Sequence, residues 1–349
     1  MTTSSSACPT TRCAARPAAR CCWPSCCVRR DTSQGGNGLK KEPVFTGVCT
    51  AIVTPFEPDG VIAYDVFGRL IEEQIACGVD AICVCGTTGE SATMSIREHH
   101  DAVAFCVAQV NHRVKVIAGA GSNDTAAALY LSQQAQDAGA DALLHVTPYY
   151  NKTTQTGLIR HYEFLTQRVS LPILLYNVPS RTGLSFTAET YRVLSQNPGI
   201  NGVKEASGNF SLAAQTRHLC GEDLFLWSGN DDQVVSLMAL GAKGVISVAS
   251  NLIPREMGRI SHLCLEGRFA EAAQLQLRYL ELINALFLEV NPIPIKAALE
   301  MAGYPVGPLR LPLCPISEAH RRELREAMER SGVLPALTPS PAQSSRIMT

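Results

Sequence analysis

Lys204 closes the apolar run Ile200-Asn-Gly-Val203 and is followed by Glu205, Ala206, Ser207 and Gly208. The run reads as a short buried strand with the lysine at its tip. Burial disfavours the charged form of an amine, and a free amine attacks a ketone to form a Schiff base. Taken alone, such a lysine is an ordinary solvated residue opening a loop, so its company has to decide. Gly86-Thr87-Thr88-Gly89 follows another short apolar run. It can present backbone N–H groups and hydroxyls to a small carboxylate, although by itself it is equally a simple glycine turn. Tyr176 ends a third apolar run, where a phenol can pass protons or merely pack. Arg181 offers a planar fork for a second carboxylate, or makes a surface ion pair. Tyr149 and Tyr150 precede Asn151 and suit either substrate contact or interface packing. Taken together they describe a Schiff-base site with two anion contacts and a proton relay, a conjunction far more specific than any member.

Such residues need a scaffold that brings the ends of many strands to one place. From Val44 to Glu266 the chain alternates eight apolar strands with eight helices. The strands are expected at 44–53, 81–85, 114–118, 142–146, 172–176, 200–203, 224–227 and 244–248. The helices are expected at 64–77, 95–110, 124–138, 154–168, 187–195, 212–220, 231–240 and 254–266, the second opened by the capping box Ser95-Ile-Arg-Glu98. Strands apolar almost throughout are expected when both faces are buried. The fold class expected is therefore α/β, a (β/α)8 TIM barrel of about 220 residues with its chemistry at the C-terminal ends of the strands. An open doubly wound sheet would carry a glycine-rich loop after its first strand, and Thr54-Pro-Phe-Glu-Pro-Asp-Gly60 is not one. Three more helices, near 268–288, 292–302 and 317–330, form a C-terminal helical extension. The strand ends hold no cluster of histidines and carboxylates, so the pattern disfavours a metal-dependent aldolase or hydrolase.

The remaining composition bounds the function. Over 349 residues the net charge is -1 and charged residues are 17%, without the basic excess of a nucleic-acid surface. No apolar run has the length that spans a bilayer, so a soluble protein is expected. Six of the 14 cysteines fall in the first 42 residues (Cys8, Cys13, Cys21, Cys22, Cys26 and Cys27), without partner histidines or C-x2-C spacing. The other eight read as reduced, small hydrophobes of a cytosolic-type enzyme. Arg12, Arg16, Arg20, Arg29 and Arg30 lie among small and polar residues, as in an organelle transit peptide. No amphipathic stripe accompanies them, so a disordered extension or a mis-assigned start codon is preferred. The expected organisation is an extension at 1–42, a catalytic barrel at 43–267, a helical region at 268–334 and a disordered tail at 335–349. The expected location is the cytoplasm, or a plastid or other organelle if 1–42 is a transit peptide.

GTTGE at 86–90, TPYYN at 147–151, YNVPSRTG at 176–183 and GVKEASGN at 202–209 closely resemble the dihydrodipicolinate synthase family, and GVISVASN at 244–251 and NPIPIKAAL at 291–299 agree. The resemblance runs from about Phe45 to Leu334. It implies condensation of pyruvate with L-aspartate 4-semialdehyde to 4-hydroxy-tetrahydrodipicolinate, in lysine and diaminopimelate biosynthesis. It implies that Lys204 forms the imine, that Thr87, Tyr176 and Tyr150 relay protons, and that Tyr150 comes from a neighbouring subunit. Thr87 and Thr88 are implied to hold the pyruvate carboxylate and Arg181 that of the semialdehyde, with Gly229 and Ile246 as backbone positions lining the pocket near the lysine. No metal or organic cofactor is implied; the partners are the two substrates and further copies of the chain, as a dimer of dimers, without nucleic acid or membrane. A sister pyruvate aldolase acting on another aldehyde, such as a sugar acid, shares the barrel, the lysine and a GxTGE loop; Thr88 and Arg181 favour the synthase branch.

Relatives in the family that respond to lysine bind it at a dimer interface. The matching positions here include Ser91, Ala92, His99, Asn123 and Tyr149, all compatible with such an allosteric site. Two positions depart: Ile96 stands where sensitive bacterial enzymes have a His, and Ala127 where they have a Glu. Feedback by lysine is therefore expected to be weak.

Overall fold

The computed structural model describes residues 41–334. The expected tail at 335–349, all of the expected extension before Lys41 and its six cysteines lie outside the described residues. Eight strands form a closed barrel in sequence order: β1 (Gly47–Ala51), β2 (Ala81–Val84), β3 (Lys115–Gly119), β4 (Ala142–Val146), β5 (Ile173–Asn177), β6 (Ile200–Glu205), β7 (Phe225–Ser228) and β8 (Gly244–Ser247). All neighbours are parallel, and β8 closes on β1 through Gly47 opposite Gly244. Successive side chains on a strand point to opposite faces, so two apolar layers result. Ile82, Val84, Leu143, Leu175 and Val203 face the surrounding helices. Ala81, Cys83, Ile117, Leu174, Phe225, Trp227 and Ile246 fill the barrel interior. This division accounts for strands that carry apolar residues on both faces rather than on alternate positions.

The helices follow the periodicity closely. The capping box forms as expected: Ser95 Oγ accepts from Glu98 N and Glu98 Oε2 accepts from Ser95 N. Three details differ. β6 extends through Lys204 to Glu205. The helix expected over 231–240 divides into a 3-10 turn, Asp231–Gln233, and a short helix, Val234–Ala239. A one-turn helix, Pro179–Thr182, follows β5 where periodicity gave no signal, because one turn is shorter than the repeat. The chain then adds Phe269–Ala285, Ile293–Met301 and Glu318–Arg330, the last packing on the other two.

At the opposite end of the barrel from the strand tips, the Lys41 ammonium donates to the carbonyls of Ser195, Asn197, Ile200 and Asp223 at 2.7–3.0 Å. Phe45 stacks on Trp227 with ring centroids 5.1 Å apart, extending the interior core toward that end. The eight described cysteines are all free thiols. No helix among the described residues is long and apolar enough to cross a membrane.

Candidate active site

The C-terminal ends of the strands surround a cavity of about 650 Å³. Lys204 reaches it because Gly202 and Lys204 take the inward positions of β6. Gly202 has to be small: a Cβ there would lie 2.5 Å from the Trp227 ring. Lys204 is 5% exposed, and its Nζ lies 4.5 Å from the centroid of the Tyr176 ring. That proximity follows from strand register, since Tyr176 on β5 pairs directly with Lys204 on β6. The next pair outward, Asn177 and Glu205, ties the same two strands on the helix-facing side. Asn177 Nδ2 donates to both Glu205 carboxylate oxygens at 3.1 Å, while Ser207 N and Tyr191 OH donate to them at 2.8 and 3.4 Å. Burial raises the Glu205 carboxyl above its ordinary value, and these hydrogen bonds oppose the rise.

The wall is closed in by backbone. A Cβ on Gly229 would stand 2.6 Å from Ala206 Cβ and 3.2 Å from Lys204 Cε, so only glycine lets β7 approach the lysine this closely. Thr87 and Thr88 line the cavity, and their turn is pinned from below by Glu90, whose φ is 55°. Glu90 Oε1 pairs with Lys296 Nζ at 2.9 Å, and Glu90 Oε2 accepts from Arg310 N at 3.0 Å. Lys296 also donates to Pro308 O at 2.7 Å. Burial lowers the Lys296 ammonium, with Glu90 opposing. A buried pair of this kind adds little net stability, but it fixes the threonine turn to the C-terminal segment. Arg181 sits on the one-turn helix with its Nη2 donating to Asn291 O at 3.1 Å.

Competing nucleophiles in the wall are quiet. Burial pushes the Cys83 thiol up to about 11 and the Cys85 thiol well above its ordinary value, so both stay protonated at neutral pH. The His99 ring is committed through Nε2 to Gly119 O at 2.7 Å, and burial lowers its pKa, leaving it a neutral donor. Among the described residues that line the cavity, Lys204 is the one lysine.

Of the residues singled out from the sequence, Lys204, Tyr176, Thr87, Thr88, Arg181 and Gly229 meet at this cavity, and so do Ser91, Ala92, His99 and Tyr149. Three do not. Ile246 is fully buried in β8, in the interior layer beneath the cavity, packed with Tyr176 and Trp227. Tyr150 has a φ of 66°, is 90% exposed and does not line the cavity. Asn123 lies off the wall, its carbonyl accepting from Asn151 Nδ2 at 3.0 Å. The structure also brings in residues the strand-end reading missed. Asn291, Pro292, Phe287 and Val290 close one side of the cavity from the helical extension. For Asn291 and Pro292 the signal available was the NPIPIKAAL motif at 291–299, which lies beyond the strand ends; Phe287 and Val290 precede the motif.

A barrel of this closure, with an inward lysine and paired tyrosine at adjacent strand ends, has close counterparts among known proteins. The Dihydrodipicolinate synthetase family profile matches residues 44–331. A 4-hydroxy-tetrahydrodipicolinate synthase of Caldicellulosiruptor saccharolyticus is 48% identical over 291 residues, covering 83% of this chain and 98% of that one. One of Clostridium novyi is 47% identical over 286 residues, covering 82% and 96%. Among solved structures, the dihydrodipicolinate synthase of Thermotoga maritima superposes with a TM-score of 0.81 at 40% identity, over 83% of this chain and 100% of that one. That of Cyanidioschyzon merolae, described with lysine bound, gives 0.81 at 41% identity, over 84% and 100%. With motifs, barrel and overall sequence in agreement across all of the described catalytic region, this chain belongs to the dihydrodipicolinate synthetase family.

Proposed function

We propose that this chain is a 4-hydroxy-tetrahydrodipicolinate synthase that joins pyruvate to L-aspartate 4-semialdehyde through an imine on Lys204. The observation that carries the reading is the buried Lys204 amine beside the Tyr176 ring, in a cavity that holds no second lysine among the described residues. The lysine nitrogen attacks the pyruvate ketone carbon, and loss of water leaves a protonated imine. The imine draws electrons from the methyl group, which gives up a proton to form an enamine. The enamine carbon attacks the aldehyde carbon of the second substrate; the new C–C bond forms as the aldehyde oxygen takes a proton. The amino group of the former semialdehyde then attacks the imine carbon, closes the ring and expels the Lys204 amine.

Every step moves a proton, and Thr87, Tyr176 and Tyr150 are the groups assigned to carry them. Thr87 and Thr88 take the pyruvate carboxylate, and Arg181 takes that of the semialdehyde by its charged fork. Gly229 is assigned the wall beside the imine and Ile246 the layer that supports it. For Tyr150 the support is its conformation: a positive φ costs a non-glycine residue about 1–3 kcal/mol, here in a ring that is 90% exposed. That exposure suits a tyrosine donated to the cavity of a second copy, and the assembly proposed is a dimer of dimers. The barrel at 43–267 with helices at 268–334 is the catalytic unit. The enzyme is assigned to the cytoplasm, or to a plastid or other organelle if residues 1–42 are a transit peptide.

The test is substrate choice. Purified protein with pyruvate should turn over L-aspartate 4-semialdehyde with kcat/KM at least about a hundredfold above any sugar-acid aldehyde. Equal or greater turnover of a sugar-acid aldehyde would assign the chain to the sister aldolases instead.

A further inference from the structure

Asn291 is the first residue of the NPIPIKAAL motif and enters the cavity from outside the barrel, yet the chemistry above gives it no task. It is 6% exposed. Its side-chain Nδ2 donates to Thr88 Oγ1 at 3.0 Å, and its main-chain oxygen accepts from Arg181 Nη2 at 3.1 Å. One residue thus touches both groups assigned to the substrate carboxylates, through two different atoms. The two contacts have different consequences. A threonine hydroxyl has one proton and two lone pairs. With a lone pair of Thr88 occupied by the Asn291 amide, the hydroxyl proton is directed elsewhere. Among the described residues it has no protein acceptor, and Thr88 lines the cavity. With the amide in this orientation, which leaves Asn291 Oδ1 buried and without a partner, the proton is free to be donated to a carboxylate oxygen there. The Arg181 contact, in contrast, uses a carbonyl that every residue type supplies.

We propose that Asn291 is a positioning residue for the first substrate: its side-chain amide orients the Thr88 hydroxyl as a donor to the keto-acid carboxylate, while its main chain independently steadies Arg181. The proposal rests on the catalytic reading given above. It separates what the side chain does from what the main chain does, and that separation is measurable.

The experiment compares wild type, Asn291→Ala, Asn291→Asp, Thr88→Val and the Asn291→Ala/Thr88→Val double variant. The half-saturating pyruvate concentration is read from borohydride trapping of the enzyme, without the second substrate. The KM for semialdehyde is read at saturating pyruvate. Asn291→Ala should raise half-saturating pyruvate about tenfold, the scale of one weakened hydrogen bond to a charged group. Its semialdehyde KM should stay within about twofold, since the carbonyl that holds Arg181 remains. In the double variant pyruvate should bind no more weakly than in Thr88→Val alone. Asn291→Asp is isosteric, keeps the segment packed and cannot donate, so it should raise half-saturating pyruvate at least as much as the alanine variant. Unchanged pyruvate binding in Asn291→Asp, or losses that multiply in the double variant, would overturn the proposal. So would a parallel rise in both constants with a lowered Tm, which is the mark of a loosened segment. Absence of trapping in the wild type would overturn the catalytic reading itself, and the proposal with it.

Discussion

At the scale of single residues, the proposed roles divide between a nucleophile that must be desolvated and a cation kept apart from it. Lys204 is buried beside an aromatic face, whereas Arg181 is exposed and held at the rim by Asn291 O. The role proposed for Arg181 is accordingly with the second substrate and not with the imine. Arg181→Ala should raise the semialdehyde KM by roughly ten- to a hundredfold, the loss of one charge-assisted contact, with a lower kcat, while borohydride trapping with pyruvate survives. Loss of trapping in a folded Arg181→Ala protein would show the role to be misassigned. Much of this division was legible in the sequence, because Lys204, Tyr176 and the Gly86–Glu90 turn each sit at a strand end, where barrel chemistry collects. Asn291 and Lys296 were not legible in that way. Their partners Thr88 and Glu90 lie 203 and 206 residues away in sequence, and no local period encodes such contacts.

At the scale of elements, periodicity and caps placed the strands and helices to within a few residues, and the misses have local causes. The Pro179–Thr182 helix is a single turn. The buried polar ties behind the strands were also invisible, because a histidine or asparagine in an apolar run shows no partner until the helices pack. His145 on β4 and His161 on the following helix are such residues. Ser132 Oγ donates to Ala128 O at 2.6 Å and so accepts from His145 Nε2 at 2.9 Å, leaving His145 Nδ1 without a partner. His161 Nδ1 meets Thr125 Oγ1 at 2.9 Å. Burial lowers His145 to about 3 and His161 to about 4, and lowers His99 in the same direction. A folded pKa below the unfolded value means that the unfolded chain binds protons first, so stability falls as pH drops below about 6.5. The two rings should each cost about 2 kcal/mol by pH ~5, above the range where carboxylates protonate. Tm should therefore decline from pH 7 to 5, and His145→Gln should flatten the decline whatever its effect on Tm at pH 7. A Tm independent of pH over that range would contradict the burial of these rings as neutral groups.

At the scale of the whole molecule, the helices after the barrel complete the site. Asn291 and Phe287 wall the cavity, and Lys296 holds the Glu90 carboxylate beneath the threonine turn. Regulation belongs to this scale as well. Ser91, Ala92, His99 and Tyr149, compatible in type with a lysine site, line the same continuous cavity as Lys204. Ile96 is 60% exposed, and Ala127 lies in the first turn of its helix with its N–H capped by Asp124. Neither supplies the charge that holds an ammonium. Absence of one such contact weakens binding by roughly ten- to a hundredfold, and a weak site has little differential affinity with which to shift an equilibrium. Initial rates at sub-saturating pyruvate should show weak or no inhibition by millimolar lysine. Half-inhibition well below a millimolar would show that another residue replaces the missing carboxylate.

The central claim is that Lys204 carries the substrate covalently. The direct measurement is borohydride reduction in the presence of pyruvate, followed by peptide mass mapping. One reduced adduct is expected, on the peptide containing Lys204, and none in Lys204→Ala. An adduct on any other lysine, or trapping that persists in the folded alanine variant, would contradict it.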